Sequence, residues 1–192
     1  MGTRSLTAIF DGDDEKPLVV LYRQYDGYPE GMGADILRLA GRVKVVNGYN
    51  SGKHRAPYWA NGAGCFAAQF VGKLKEGAAS STATGSKKRR NAIGNVYVVS
   101  PGAWGEPFGD SGEEYRWELR VCGPGFEFST PKKFGRVDVT CVTRDWDAEG
   151  RLKTKPILAD LYKGPASGIA EWLAKRKAKA DAEKEAEAKS AA

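Results

Sequence analysis

Leu18-Val19-Val20-Leu21-Tyr22-Arg23-Gln24-Tyr25 is the stretch whose reading decides the fold. Its β-branched and aromatic residues suit a pleated strand. Leu18 and Val20 would occupy one face and Val19 and Leu21 the other, so both faces are apolar and the strand belongs inside a sheet. Upstream, Leu6, Ala8 and Phe10 alternate with Ser5, Thr7 and Ile9, and the polar segment Asp11 to Pro17 separates the two runs. The pair therefore reads as an antiparallel hairpin.

Downstream, Asp26-Gly27-Tyr28-Pro29-Glu30-Gly31-Met32-Gly33 gives way to Ile36, Leu37 and Leu39, with Gly41 at the stop position: a loop feeding a short helix. Ala63, Phe66, Ala67, Phe70, Val71 and Leu74 follow helical spacing, with Asn61 as a cap and Gly77 at the end, so a second helix packs its stripe on the sheet. Strand-like runs return at Asn95 to Ser100, Glu113 to Cys122, Phe126 to Ser129, Gly135 to Trp146 and Lys155 to Tyr162, and Asp147 to Gly150 forms a turn between the last two. The class expected is α+β: a single domain with a largely antiparallel sheet, two helices inserted after the first hairpin, and a C-terminal helix rich in Ala, Lys and Glu.

Residues 1–165 read as the globular domain and residues 166–192 as a helical tail. The tail docks by Ile169, Trp172 and Leu173 and then projects, because alanine is its only apolar residue further on. Within the domain, residues 77–94 turn to Ala, Ser, Thr and Gly before Lys87-Lys88-Arg89-Arg90, the composition of a flexible basic loop.

The 192 residues are 41% hydrophobic and 28% charged, which excludes disorder as the general state, and 30 Lys and Arg against 24 Asp and Glu leave a charge of +6. That excess permits an anionic partner without requiring one. No apolar run approaches the roughly 20 residues of a membrane span, and the start Met1-Gly2-Thr3-Arg4-Ser5-Leu6 has no signal-peptide character. A cytoplasmic protein with no membrane partner is expected. Cys65, Cys122 and Cys141 are too far apart for a zinc motif and read as reduced thiols. The single histidine, His54, reads as a loop residue, and a Ser-His-Asp relay would depend on it alone.

Met1 to Thr7 together with Leu21-Tyr22-Arg23-Gln24-Tyr25-Asp26-Gly27-Tyr28-Pro29-Glu30-Gly31-Met32-Gly33 resembles a group of uncharacterised small proteins of bacteriophage and prophage genomes. The likeness extends more loosely to Asn61–Gln69, Asn95–Pro101 and Glu113–Leu119. The resemblance implies a phage-linked cytoplasmic protein; it brings neither substrate nor catalytic residues.

The densest chemistry lies in the same segment: Tyr22, Arg23, Gln24, Asp26, Tyr28, Gly31 and Gly33, with Arg4 in the neighbouring strand. Amides at a helix start attract anions, glycine lets a ligand approach the backbone, and a guanidinium and aromatic faces suit phosphate and base. The expectation is a non-catalytic binding protein whose Tyr22–Gly33 turn takes an anionic ligand, a nucleotide among the candidates, or a host protein. The same residues also suit a tight turn in which Arg23 is an ordinary loop clamp. The segment matches neither the Walker loop nor the dinucleotide fingerprint, and no cofactor is called for.

An alternative is a nucleic-acid-associated protein using Lys87, Lys88, Arg89 and Arg90 with the C-terminal tail, although no recognition motif accompanies them. A third is a phosphoester hydrolase or transferase with Asp26 or Glu30 as base. Asp11 to Glu15 and Asp145 to Glu149 read as solvated turn carboxylates. Glu113 and Glu114, on opposite faces of a strand, cannot share one metal ion without a bulge. Ser100 to Gly112 reads as a long loop whose Trp104 and Phe108 cover a pocket. The sequence leaves the oligomeric state open.

Overall fold

The computed structural model describes residues 2–46, 59–78, 96–106, 112–123, 135–143 and 159–190. Its framework is a six-stranded sheet built from β1 (Ser5–Asp11), β2 (Val19–Arg23), β5 (Val96–Val99), β6 (Tyr115–Cys122), β7 (Arg136–Thr143) and β8 (Ala159–Pro165), in the order β5-β2-β1-β6-β7-β8. β1 and β2 pair antiparallel, with Ser5 opposite Arg23 and Ile9 opposite Val19. β2 lies between β1 and β5, the interior position that its two-sided apolar pattern predicts.

The sheet is antiparallel except at its centre, where β1 and β6 run parallel with Thr7 opposite Trp117. Apolar periodicity reports which face a residue takes but not which strand lies beside it, so this pairing has no sequence signal. A second parallel pair, β3 (Lys44–Val46) with β4 (Trp59–Asn61), was also not expected. Val45 joins it to the chain before β7 through reciprocal bonds with Gly135, of 3.0 and 2.9 Å. The runs at Phe126 to Ser129 and Asp147 to Gly150, and the basic stretch Lys87 to Arg90, lie outside the described residues, as does His54.

Three helices complete the fold. α1 (Ala34–Ala40) ends at Gly41 as expected, and a single π-type turn, Pro29–Gly33, precedes it. α2 (Gly62–Ala78) starts directly after Asn61, the last residue of β4, and continues through Gly77 instead of stopping before it. α3 (Ile169–Ser190) docks by its first turns: Ile169 is buried, Trp172, Leu173 and Arg176 are half-buried, and Lys177 to Lys189 are exposed throughout. Among the described residues no helix is long and apolar enough to cross a membrane.

The helices share one face of the sheet. Ile9, Leu21, Trp117, Leu119 and Val139 meet Ile36 and Leu39 of α1 and Phe66, Phe70 and Leu74 of α2 in the main core. The opposite face carries a smaller cluster of Leu6, Ala8, Phe10 and Val20. Trp104 covers this cluster by packing edge-on against Phe10 at 5.9 Å. The described part of the Ser100 to Gly112 segment therefore closes a hydrophobic face, where a pocket cover was expected.

Trp117 holds the two halves of the main core together. Its ring is fully buried, its indole N–H donates to the Gly27 carbonyl at 3.0 Å, and it meets Trp172 of α3 edge-on at 6.2 Å. Replacing Trp117 with Phe removes the donor and leaves the Gly27 carbonyl buried without it. We expect a stability loss of about 1–3 kcal/mol in urea denaturation, and more for Trp117→Ala, where a cavity is added.

Candidate functional site

Strand geometry already separates the expected site residues. Arg23 is on the helix-bearing face with Ser5 and Thr7, whereas Tyr22 is on the other face, 6.5 Å from Tyr97 between ring centroids. Arg4 precedes Ser5 and so falls in the alternate set; its guanidinium lies beside Gly112. The structure thus does not bring Arg4 to Arg23, because successive strand residues point to opposite faces.

Arg23 is only 7% exposed. Its Nε donates to the Tyr25 carbonyl at 2.8 Å, and Nη1 donates to Asp35 Oδ2 at 2.7 Å and approaches Met32 Sδ at 3.3 Å. Asp35, in the first turn of α1, also accepts from Arg38 at 2.9 Å. The guanidinium therefore fastens the strand end to the turn and to the helix start, which is the loop-clamp reading. Its expected role as the positive wall of an open anion site is corrected by this geometry: a buried charge already neutralised by a carboxylate attracts no further anion.

The glycines are packed to match. A Cβ at Gly31 would run into the Asp26 carbonyl oxygen, and a Cβ at Gly33 would sit 3.0 Å from the indole of Trp117. Their role is close packing of the turn on itself and on the core, which leaves no space there for a phosphate. The turn is tied to the segment before β1 by the Gly27 amide, which donates to the Thr3 carbonyl at 2.9 Å.

Gln24, Asp26 and Tyr28 remain at the surface of the turn. Asp26 takes φ +58°, a left-handed conformation that Asp tolerates better than most residues. Its carboxylate raises the Tyr28 phenol above the ordinary tyrosine value, first by its charge, with partial burial and the hydrogen bond between the two adding to the effect. Glu30 is held by Arg176 of α3 at 3.0 Å, which leaves it poorly placed as a general base. Among the described residues no group of three His, Cys, Asp or Glu side chains could hold a metal ion.

Besides Arg4, the second face of the sheet carries three arginines among the described residues that are each matched with a carboxylate. Arg116 binds Glu113 at 2.7 Å, Arg120 binds Glu118 at 2.6 Å and Arg136 binds Asp138 at 2.8 Å. Glu113 is fully buried, and Arg116 also donates to the carbonyls of Trp104 and Glu106. Arg116 thus holds the 100–106 segment over Phe10, and the three pairs leave little uncompensated charge on these arginines for a nucleic-acid backbone.

What the structure offers instead is an apolar margin that the sequence reading missed. The exposed large hydrophobic residues among those described are Leu18, Tyr25, Tyr97 and Val98, the last at 62%. All four lie along the β2–β5 side of the sheet. Leu18 precedes β2, Tyr25 follows it, and Tyr97 and Val98 pair opposite Tyr22 and Leu21 between them. Four consecutive apolar residues, Val96 to Val99, were the available signal, but only the strand order reveals that they form an edge. Searches against family models, curated proteins and solved structures returned no match to this chain.

Two measurements check the clamp. Arg23→Ala should cost about 2 kcal/mol of stability, less than the 3–5 kcal/mol of a fully buried pair because Asp35 is partly solvated and keeps Arg38. In an ultraviolet tyrosine titration, Tyr28 should ionise above its usual value and return toward it in Asp26→Asn. Because the folded value is the higher one, the stability it lends is present below about pH 10 and is lost as pH rises through the folded value.

Proposed function

We propose that this chain is a non-enzymatic binding protein that engages a protein partner through the β2–β5 margin and the adjoining outer surface of the Tyr22–Gly33 turn. The observation that carries this reading is that the large apolar side chains exposed among the described residues, Leu18, Tyr25, Tyr97 and Val98, all lie on or beside the β2–β5 edge, with Tyr97 and Val98 on its two faces. Exposed apolar side chains gathered in one place mark an interaction surface, whereas scattered ones do not. Tyrosine adds rigid contact area with a polar tip, the property that enriches it at protein interfaces.

The surface favours side-chain contact over addition of a partner strand. Lys75 of α2 donates its ammonium to the Val96 carbonyl at 2.9 Å and lies 5.8 Å from the Tyr97 ring, so a lysine occupies the edge where a strand would pair. Lysine at a sheet edge is a common protection against such pairing. An anion as ligand is disfavoured, since the clamp leaves Arg23 neutralised. A partner in a phage host is what the resemblance of the N-terminal motif implies.

Photo-crosslinking in cells tests this reading, with a benzoylphenylalanine probe at Tyr97 or Val98 and a control probe at Lys163, exposed on β8 at the opposite edge of the sheet. A discrete protein adduct is expected from the two β5 positions, absent at the control and lost when Leu18→Asp is added. Adducts of equal yield at all three positions, or none at β5, would overturn it.

A further inference from the structure

We propose that α3 pairs antiparallel with α3 of a second copy of this chain, through the exposed length that follows its docked first turns. Ile169, Trp172 and Leu173 pack on the domain, and Arg176 reaches Glu30, so the start of the helix is fixed. From Lys177 to Lys189 every side chain is exposed, a projection of about 20 Å at the helical rise.

Charge is segregated along this arm. Lys175, Arg176, Lys177 and Lys179 precede a half in which Asp181, Glu183, Glu185 and Glu187 outnumber Lys184 and Lys189. The terminal turns carry the charges that the helix dipole favours, Glu171 at the start and Lys189 at the end, whereas the bases before acids between them follow the opposite order. Beyond Glu171, which starts the row in the docked first turn, Lys175, Lys179, Glu183 and Glu187 are spaced by four and lie in that row, since residues four apart share a helix face. Read along the helix that row is plus, plus, minus, minus; read along a reversed copy it is minus, minus, plus, plus. An antiparallel partner with the same sequence is thus its electrostatic complement, as a two-fold interface requires.

The neighbouring row is shaped for the same partner. Ala174, Ala178, Ala182 and Ala186 are also spaced by four and are exposed, so two backbones can approach closely enough for the flanking charges to meet. The ion pairs that form within one helix, Lys175 with Glu171 at 2.7 Å and Lys179 with Glu183 at 3.8 Å, are largely solvated, so exchanging them for pairs with a partner costs little. So short an interface places the dimer in the weak, transient class, and a contact made of exposed charges is sensitive to salt. The inference stands apart from the reading of the β2–β5 margin, because it uses none of that surface.

Sedimentation equilibrium of the full chain across a concentration series, at low and high salt, is the test. The average mass should rise from one chain, 20.8 kDa, toward two at low salt and return to one at high salt. K175E/K179E and E183K/E187K should each remain single, and their equimolar mixture should restore the doubled mass as a heterodimer. Circular dichroism verifies that both variants retain the fold. Wild-type chain that stays single at low salt would overturn the proposal, and so would a dimer that persists in both variants.

Discussion

The burial of Trp117 is the constraint on which the arrangement depends. Its strand lies at the centre of the sheet, and its ring reaches the turn through Gly27 and Gly33 and the C-terminal helix through Trp172. A ring of this size and a single N–H donor fix three separate segments in one place, because the donor must find its acceptor once water is excluded. Tyr162 extends the contact, 5.1 Å from Trp172, so β8 is joined to the same aromatic group.

Against that centre the vocabulary of the turn takes on a mechanical meaning. Arginine, aspartate and glycine are the residues of anion sites, and they are equally the residues of tight, charged corners. Burial distinguishes the two uses. A guanidinium that is to bind a ligand keeps donors toward solvent, whereas Arg23 directs its donors at Tyr25 and Asp35. Glycines that cradle a phosphate face open space, whereas Gly31 and Gly33 face a carbonyl and an indole.

The class of fold, the first hairpin, the interior position of β2 and all three helices were legible in the sequence, since each rests on local periodicity and on stops such as Gly41. The β1–β6 and β3–β4 pairings were not, because strand adjacency arises from packing between distant segments. The site was legible as a cluster of reactive residue types but not as a geometry. Strand alternation sends Arg4 and Tyr22 away from Arg23, and Asp35, its actual partner, sits among helix residues and looked unremarkable. The exposed margin was hidden for the complementary reason: Tyr97 and Val98 read as ordinary strand residues until the order of the sheet left them at its side.

The parallel contact between β1 and β6 also constrains how the molecule comes into being. A nascent chain leaving the ribosome can close the β1–β2 hairpin early, yet β1 must wait about a hundred residues for the strand that covers its other side. Until Tyr115 to Cys122 emerges, Leu6 to Phe10 offers a bare apolar ladder to whatever is near. Such long-range closure slows folding and exposes intermediates to aggregation, so the vulnerable interval during synthesis is set by the position of one strand.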